Sequence, residues 1–145
     1  MSNDFDLGHI CTNKMAFVEV GTTVIIKSPN YPDHYPANLN CTWTLSTVRK
    51  DERIRIVFLS LNIDIRGDTL SFYDAKTPIE KTKMNGPLDL IYLDNGEILQ
   101  PAGKKRPYFS SGQFLTIEML TNDDNYETSG FQLSATAVKK GTNIL

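Results

Sequence analysis

Five stretches of this chain place apolar residues at every second position, a period that admits little besides half-buried β-strand. Cys41, Trp43 and Leu45 alternate with Thr42 and Thr44, and Ile54, Ile56 and Phe58 with Arg55 and Val57. Leu70 and Phe72 alternate with Thr69, Ser71 and Tyr73; Leu115, Ile117 and Met119 with Thr116 and Glu118; Phe131, Leu133 and Ala135 with Gln132 and Ser134. Val24-Ile25-Ile26 adds a short β-branched run. Successive side chains on a strand point to opposite faces, so each run carries one apolar face, and Gly, Pro, Asn or Asp bounds it. No helical repeat of comparable quality exists; residues 78–84, the best candidate, are few and poor in apolar side chains. The pattern predicts an all-β fold, a two-sheet antiparallel sandwich. Its expected core is Ile26, Trp43, Leu45, Ile54, Ile56, Phe58, Leu70, Phe72, Leu115, Ile117, Phe131 and Leu133.

With 145 residues, 40% of them hydrophobic, the chain has the size of one domain with a real core. Lys+Arg number 15 against 17 Asp+Glu, a formal net charge of −2, which is not the basic balance of a nucleic-acid binder. No stretch approaches the roughly 20 apolar residues needed for membrane insertion as a helix. Residues 76–106 form the least regular part, an expected insertion or long loop; the turn signal Asp94-Asn95-Gly96 marks a hairpin within it. Residues 1–10 and 139–145 read as linkers around a domain spanning 11–138. The opening Met-Ser-Asn-Asp-Phe-Asp has neither the basic nor the apolar region of a signal peptide. Cys11 and Cys41 form no C-x-x-C pair; they are two thiols or one disulfide, the latter implying an oxidising compartment. His9 and His34 have no metalloprotease spacing around them, and neither G-x-S-x-G nor a P-loop occurs, so no enzyme is expected.

The most distinctive segment is Ser28-Pro29-Asn30-Tyr31-Pro32-Asp33-His34-Tyr35-Pro36. Three prolines fix φ and remove backbone donors, so this is an ordered turn rather than a central strand. Asn38-x-Asn40-Cys41-x-Trp43 follows, then Ile54-x-Ile56-x-Phe58, Leu61-x-Ile63-Asp64, Asp68-x-Leu70-x-Phe72-Tyr73-Asp74, Ser110-Ser111-Gly112 and Gly130-Phe131-Gln132. In this order the motifs resemble a CUB domain, from about Cys11 to Ala137. The resemblance implies a jelly-roll-like β-sandwich and an extracellular, non-catalytic protein-binding module of a larger secreted or cell-surface protein. Cys11 and Cys41 match the first disulfide of the family; the second is absent, its positions falling near Ile65 and within 76–106.

The resemblance also implies a calcium site. Asp64, Asp68 and Asp123 (or Asn122, across a one-residue gap) match the family's ligands, and Tyr35 matches the tyrosine that supports the first carboxylate. Calcium takes six to eight oxygens, often carboxylates from loops, and would relieve the mutual repulsion of these side chains. A Lys or Arg of the protein partner would then dock on the same edge, at Tyr35, Asp64, Asp68 and Asp123. Other features give alternatives. Arg66-Gly67-Asp68 is the tripeptide read by integrins, an adhesion signal in a predicted loop. Asn40-Cys41-Thr42 is a sequon for N-glycosylation at Asn40. Lys104-Lys105-Arg106 is a basic loop suited to a sulfated glycan.

Overall fold

The computed structural model describes residues 14–64, 67–84, 92–94, 97–99, 108–124 and 128–141. Ten strands occur in them: β1 (Lys14–Val18), β2 (Val24–Lys27), β3 (Asn40–Thr47), β4 (Glu52–Asn62), β5 (Thr69–Tyr73), β6 (Tyr92–Asp94), β7 (Glu97–Leu99), β8 (Tyr108–Phe109), β9 (Phe114–Leu120) and β10 (Gly130–Lys139). Two four-stranded sheets, β1-β3-β9-β5 and β2-β10-β4-β8, face each other. The expected hairpin exists as the antiparallel pair β6–β7. A single 3-10 turn, Glu80–Thr82, falls within the weak helix candidate.

The core lies between the sheets. Of the twelve residues expected there, eleven are buried in it and Phe58 packs against it, partly covered. Trp43 of one sheet meets Phe131 of the other edge to face, with centroids 5.5 Å apart, a favourable aromatic geometry. Tyr73 is buried as well, and its hydroxyl donates to Glu118 at 3.2 Å.

Two details depart from the simple pattern. First, β1 pairs with β3 in parallel, Lys14 opposite Trp43 through Val18 opposite Thr47. The chain runs out along β1, returns along β2 in the other sheet, and re-enters beside β1 as β3. The third pass must therefore run in the direction of the first. Second, β4 is bulged: Leu133 lies opposite Phe58 but Gln132 opposite Ser60, so Leu59 is an extra residue and 54% exposed. The bulge resets the two-residue phase. Leu61 and Ile63, at 1% and 5% exposed, then face the core, and β4 delivers Asn62 and Asp64 to one end of the sandwich. At the other end β10 continues to Lys139, the first residue of the expected linker.

Candidate binding edge

One end of the sandwich is built where β4 ends, β5 begins, β9 ends and β10 begins, with the Pro-rich block folded across it. The block turns through Asn30, at φ 67°, and a cis Tyr31–Pro32 bond. The Tyr31 N–H donates to Ser28 O at 3.1 Å and the Asp33 N–H to Asn30 O at 2.7 Å. Ser28 ties the block to β10: its Oγ accepts the Phe131 N–H at 2.9 Å, and its own N–H donates to Phe131 O at 3.0 Å. Gly130 lets the chains come this close. Its φ is +88°, and a Cβ there would stand 1.9 Å from Ser28 Oγ.

So anchored, the block inserts Tyr35, 5% exposed, under the neighbouring loop. The Tyr35 hydroxyl donates to Asp68 Oδ2 at 2.5 Å and accepts the Asp64 backbone N–H at 3.0 Å. Burial, and then the hydrogen bond to Asp68, push its pKa up to about 12, so it remains a donor across the physiological range. Thr128 reaches the same side chain. The other Asp68 oxygen, Oδ1, accepts the Asn122 backbone N–H at 2.9 Å. Asp68 thus joins three separate segments. Asp64 belongs to the same tight loop, since the Asp68 N–H donates to Asp64 O at 3.0 Å. That turn places the backbone of Asp64, rather than its carboxylate, against Tyr35, so the tyrosine supports the Asp68 carboxylate directly.

After β9 the Asn122 and Asp124 side chains close a local turn: the Asp124 N–H donates to Asn122 Oδ1 at 3.0 Å, and Asn122 Nδ2 donates to Asp124 Oδ2 at 3.2 Å. Gly67 lies directly beneath, and a Cβ on it would fall 1.7 Å from Asn122 Nδ2. Asp123 and Asp124 are exposed. Among the described residues no three His, Cys, Asp or Glu side chains gather closely enough to hold a metal ion; Asp64 and Asp68 share one loop and Asp123 lies on another, after β9. The pair nevertheless suits calcium in kind. The two carboxylates, 7% and 6% exposed, are like charges buried in one turn, which a divalent cation offsets. The hydrogen bonds from Tyr35 and Asn122 use one lone pair of each Asp68 oxygen, leaving a second for a cation.

Beside this cluster an open groove of about 640 Å³ is lined by Pro32, Asp33, His34, Asn62, Thr128 and Ser129. The sequence reading missed the groove, the part played by Thr128 and the backbone contact of Asn122. Only the last had a signal, since Asn-Asp-Asp favours a side-chain-capped turn.

The other expected positions fall as follows. Asp68 of the Arg-Gly-Asp tripeptide is buried and hydrogen-bonded on both oxygens, which withdraws it from the role of a protruding adhesion ligand; Arg66 lies outside the described residues. Lys104, Lys105 and Arg106 lie outside them too. Cys41 is fully buried and disulfide-bonded, while Cys11, the only other cysteine of the chain, lies outside. Asn40 is exposed, at the first position of β3.

A two-sheet sandwich with a Pro-rich block crossing an acidic end is the architecture of a CUB domain. The family model of the CUB domain matches residues 11–134, and the chain belongs to that family, whose domains serve as protein-interaction modules in extracellular proteins. Among relatives, human "Signal peptide, CUB and EGF-like domain-containing protein 2" is 44% identical over 124 residues, covering 85% of this chain and 11% of that protein. Its zebrafish (Danio rerio) namesake is 31% identical over 127 residues, with the same coverage. The chain therefore spans about a tenth of the length of these relatives. The calcium-bound CUB2 domain of MASP-1 superposes with a TM-score of 0.61 at 16% identity, covering 87% of this chain and 99% of that one. The CUB1-EGF-CUB2 segment of human MASP-1/3 gives 0.62 at 23% identity, covering 81% and 42%. These structural likenesses show the fold. Among the described residues no helix is long and apolar enough to cross a membrane.

Proposed function

We propose that this domain binds a partner protein at the Tyr35–Asp64–Asp68 edge and that calcium organises the edge. The observation that carries the reading is Asp68, a buried carboxylate that ties the Pro-rich block, the β4–β5 loop and the loop after β9 to one point. Asp64 and Asp68 would hold the cation, with the Asn122–Asp124 turn supplying further oxygens. Calcium bound there would neutralise the buried pair and fix the three segments relative to one another. A Lys or Arg side chain of the partner would enter the neighbouring groove, where Asp33 supplies an exposed carboxylate and Asn62, Thr128 and Ser129 supply polar contacts. The calcium-bound state of the MASP-1 CUB2 neighbour supports the choice of cation.

Thermal unfolding in excess calcium and then in excess chelator tests this reading. A ligand at a hundred times its dissociation constant stabilises the native state by about 2.7 kcal/mol. For a domain of this size that is a rise on the order of 10 °C. The rise should disappear in Asp68→Asn. Equal unfolding temperatures in calcium and chelator for the unsubstituted domain would remove calcium from the reading.

A further inference from the structure

We propose that the end of the sandwich opposite the carboxylates binds a sulfated polysaccharide. Strand β4 runs from Glu52 at one end to Asn62 at the other, about 33 Å at the usual rise per residue. Asp33, Asp64, Asp68, Asp123 and Asp124 lie at the far end, around the edge already described. At the near end, the β3–β4 turn and the end of β10 are stitched together. Lys139 lies opposite Glu52, the Lys140 N–H donates to Asp51 O at 2.7 Å, and the Glu52 N–H donates to Arg49 O at 3.2 Å. These contacts bring Arg49, Lys50, Lys139 and Lys140, all exposed, onto two neighbouring strand ends. Arg53 extends the group along the outer face of β4, its guanidinium 4.3 Å from the Phe109 ring centroid.

The carboxylates at this end do not balance the group. Glu52 is 4% exposed and its Oε1 accepts the Arg49 N–H at 3.1 Å; Asp51, Glu19 on the β1–β2 turn and Glu80 beyond β5 are the exposed ones. Arg49, Lys50, Arg53, Lys139 and Lys140, with Lys76, Lys81 and Lys83 beyond β5, therefore outnumber the three exposed carboxylates at this end, within a chain whose net charge is −2. A local excess of this kind fits an anionic partner. The exposed cations are long, flexible side chains on a convex turn, which suits an extended polymer with repeating charges better than a small anion needing an enclosed cradle. The chain belongs to an extracellular family, so the fitting polyanion is a sulfated glycan rather than a nucleic acid. The inference is independent of calcium at the other end.

The test is retention on immobilised heparin over a salt gradient, with chelator present throughout so that bridging calcium is absent. The domain should be held at about 0.15 M salt. The triple variant Lys50→Gln, Lys139→Gln, Lys140→Gln should bind about tenfold more weakly and with a shallower salt dependence. Lys14→Gln, Lys27→Gln removes charge toward the carboxylate end and should leave retention unchanged. Unaltered unfolding temperatures would confirm that both variants are folded. No retention of the unsubstituted domain would overturn the proposal, as would equal weakening in both variants. Loss confined to a Lys104→Gln, Lys105→Gln, Arg106→Gln variant would transfer the site to that loop, and binding to phosphatidylserine vesicles without heparin retention would point to a lipid surface; either result overturns the assignment made here.

Discussion

Asp68 and Tyr35 form a pair in which each makes the other's burial tolerable. The phenol supplies a donor to a carboxylate at 2.5 Å, and it gives the Asp64 N–H an acceptor where water is excluded. Tyr35→Phe removes both functions and keeps the ring. Leaving buried polar groups unsatisfied costs about 1–3 kcal/mol, which urea unfolding at neutral pH will read. The raised tyrosine pKa adds a second signature. The unfolded chain loses this proton near pH 10 and the folded chain near 12, so this contribution is complete below about pH 10 and is lost as pH rises toward 12. Tyr35→Phe should flatten that alkaline limb. Two glycines separate close approach from backbone strain. Gly67→Ala meets the end of the Asn122 side chain, which can rotate away, so stability should change little while the Asn122–Asp124 turn opens. Gly130→Ala meets a Ser28 hydroxyl held by β10 and also requires φ +88°, so it should destabilise far more; paired denaturation curves compare them. That the Pro-rich block forms an ordered turn was legible in its three prolines. That Tyr35 would grip Asp68 rather than the Asp64 side chain was not, because it depends on how sharply the short loop turns.

Among elements, β4 does most to position the edge, and it does so through its bulge. Deleting Leu59 would remove the bulge yet leave Ser60 opposite Gln132 and Leu61 opposite Phe131, so Leu61 and Ile63 would stay on the core face. Leu61→Ala, at a position 1% exposed, should cost about 2–5 kcal/mol. Leu59→Ala, at a position 54% exposed, should stay within about 0.5 kcal/mol. Denaturant midpoints of the two variants make the comparison. The disulfide at Cys41 fastens the inner face of β3. Its reduction should lower stability by about 3 kcal/mol, seen as an earlier unfolding midpoint in reductant. Period-2 alternation revealed the long strands because each has one apolar face. It did not reveal the parallel β1–β3 pair, since pairing direction follows the path of the chain and not the side chains of either strand. Nor did it reveal the bulge, because Phe58, Leu59 and Leu61 are all apolar and only the register against Leu133 and Gln132 decides which one turns outward.

Among the described residues, Asp33, Asp64, Asp68, Asp123 and Asp124 gather at one end of the strand axis, and Arg49, Lys50, Lys139 and Lys140 at the other. In chelator, added sodium chloride should raise the unfolding temperature by screening the buried and exposed aspartates, and calcium should make that salt effect smaller. The residue order by itself determined the all-β class, the two apolar faces, all but the partly covered Phe58 of the expected core, and the CUB family, because these follow from local periodicity and from motifs read in sequence. The tertiary structure decided which loops share an end, which carboxylate Tyr35 meets, that Asp68 is buried rather than displayed, and that Lys139 and Lys140 join Arg49 and Lys50. Those facts depend on contacts between residues far apart in the chain, such as Ser28 and Phe131, 103 positions apart. No local pattern encodes them; they exist only once the sheets have closed around Trp43 and Phe131.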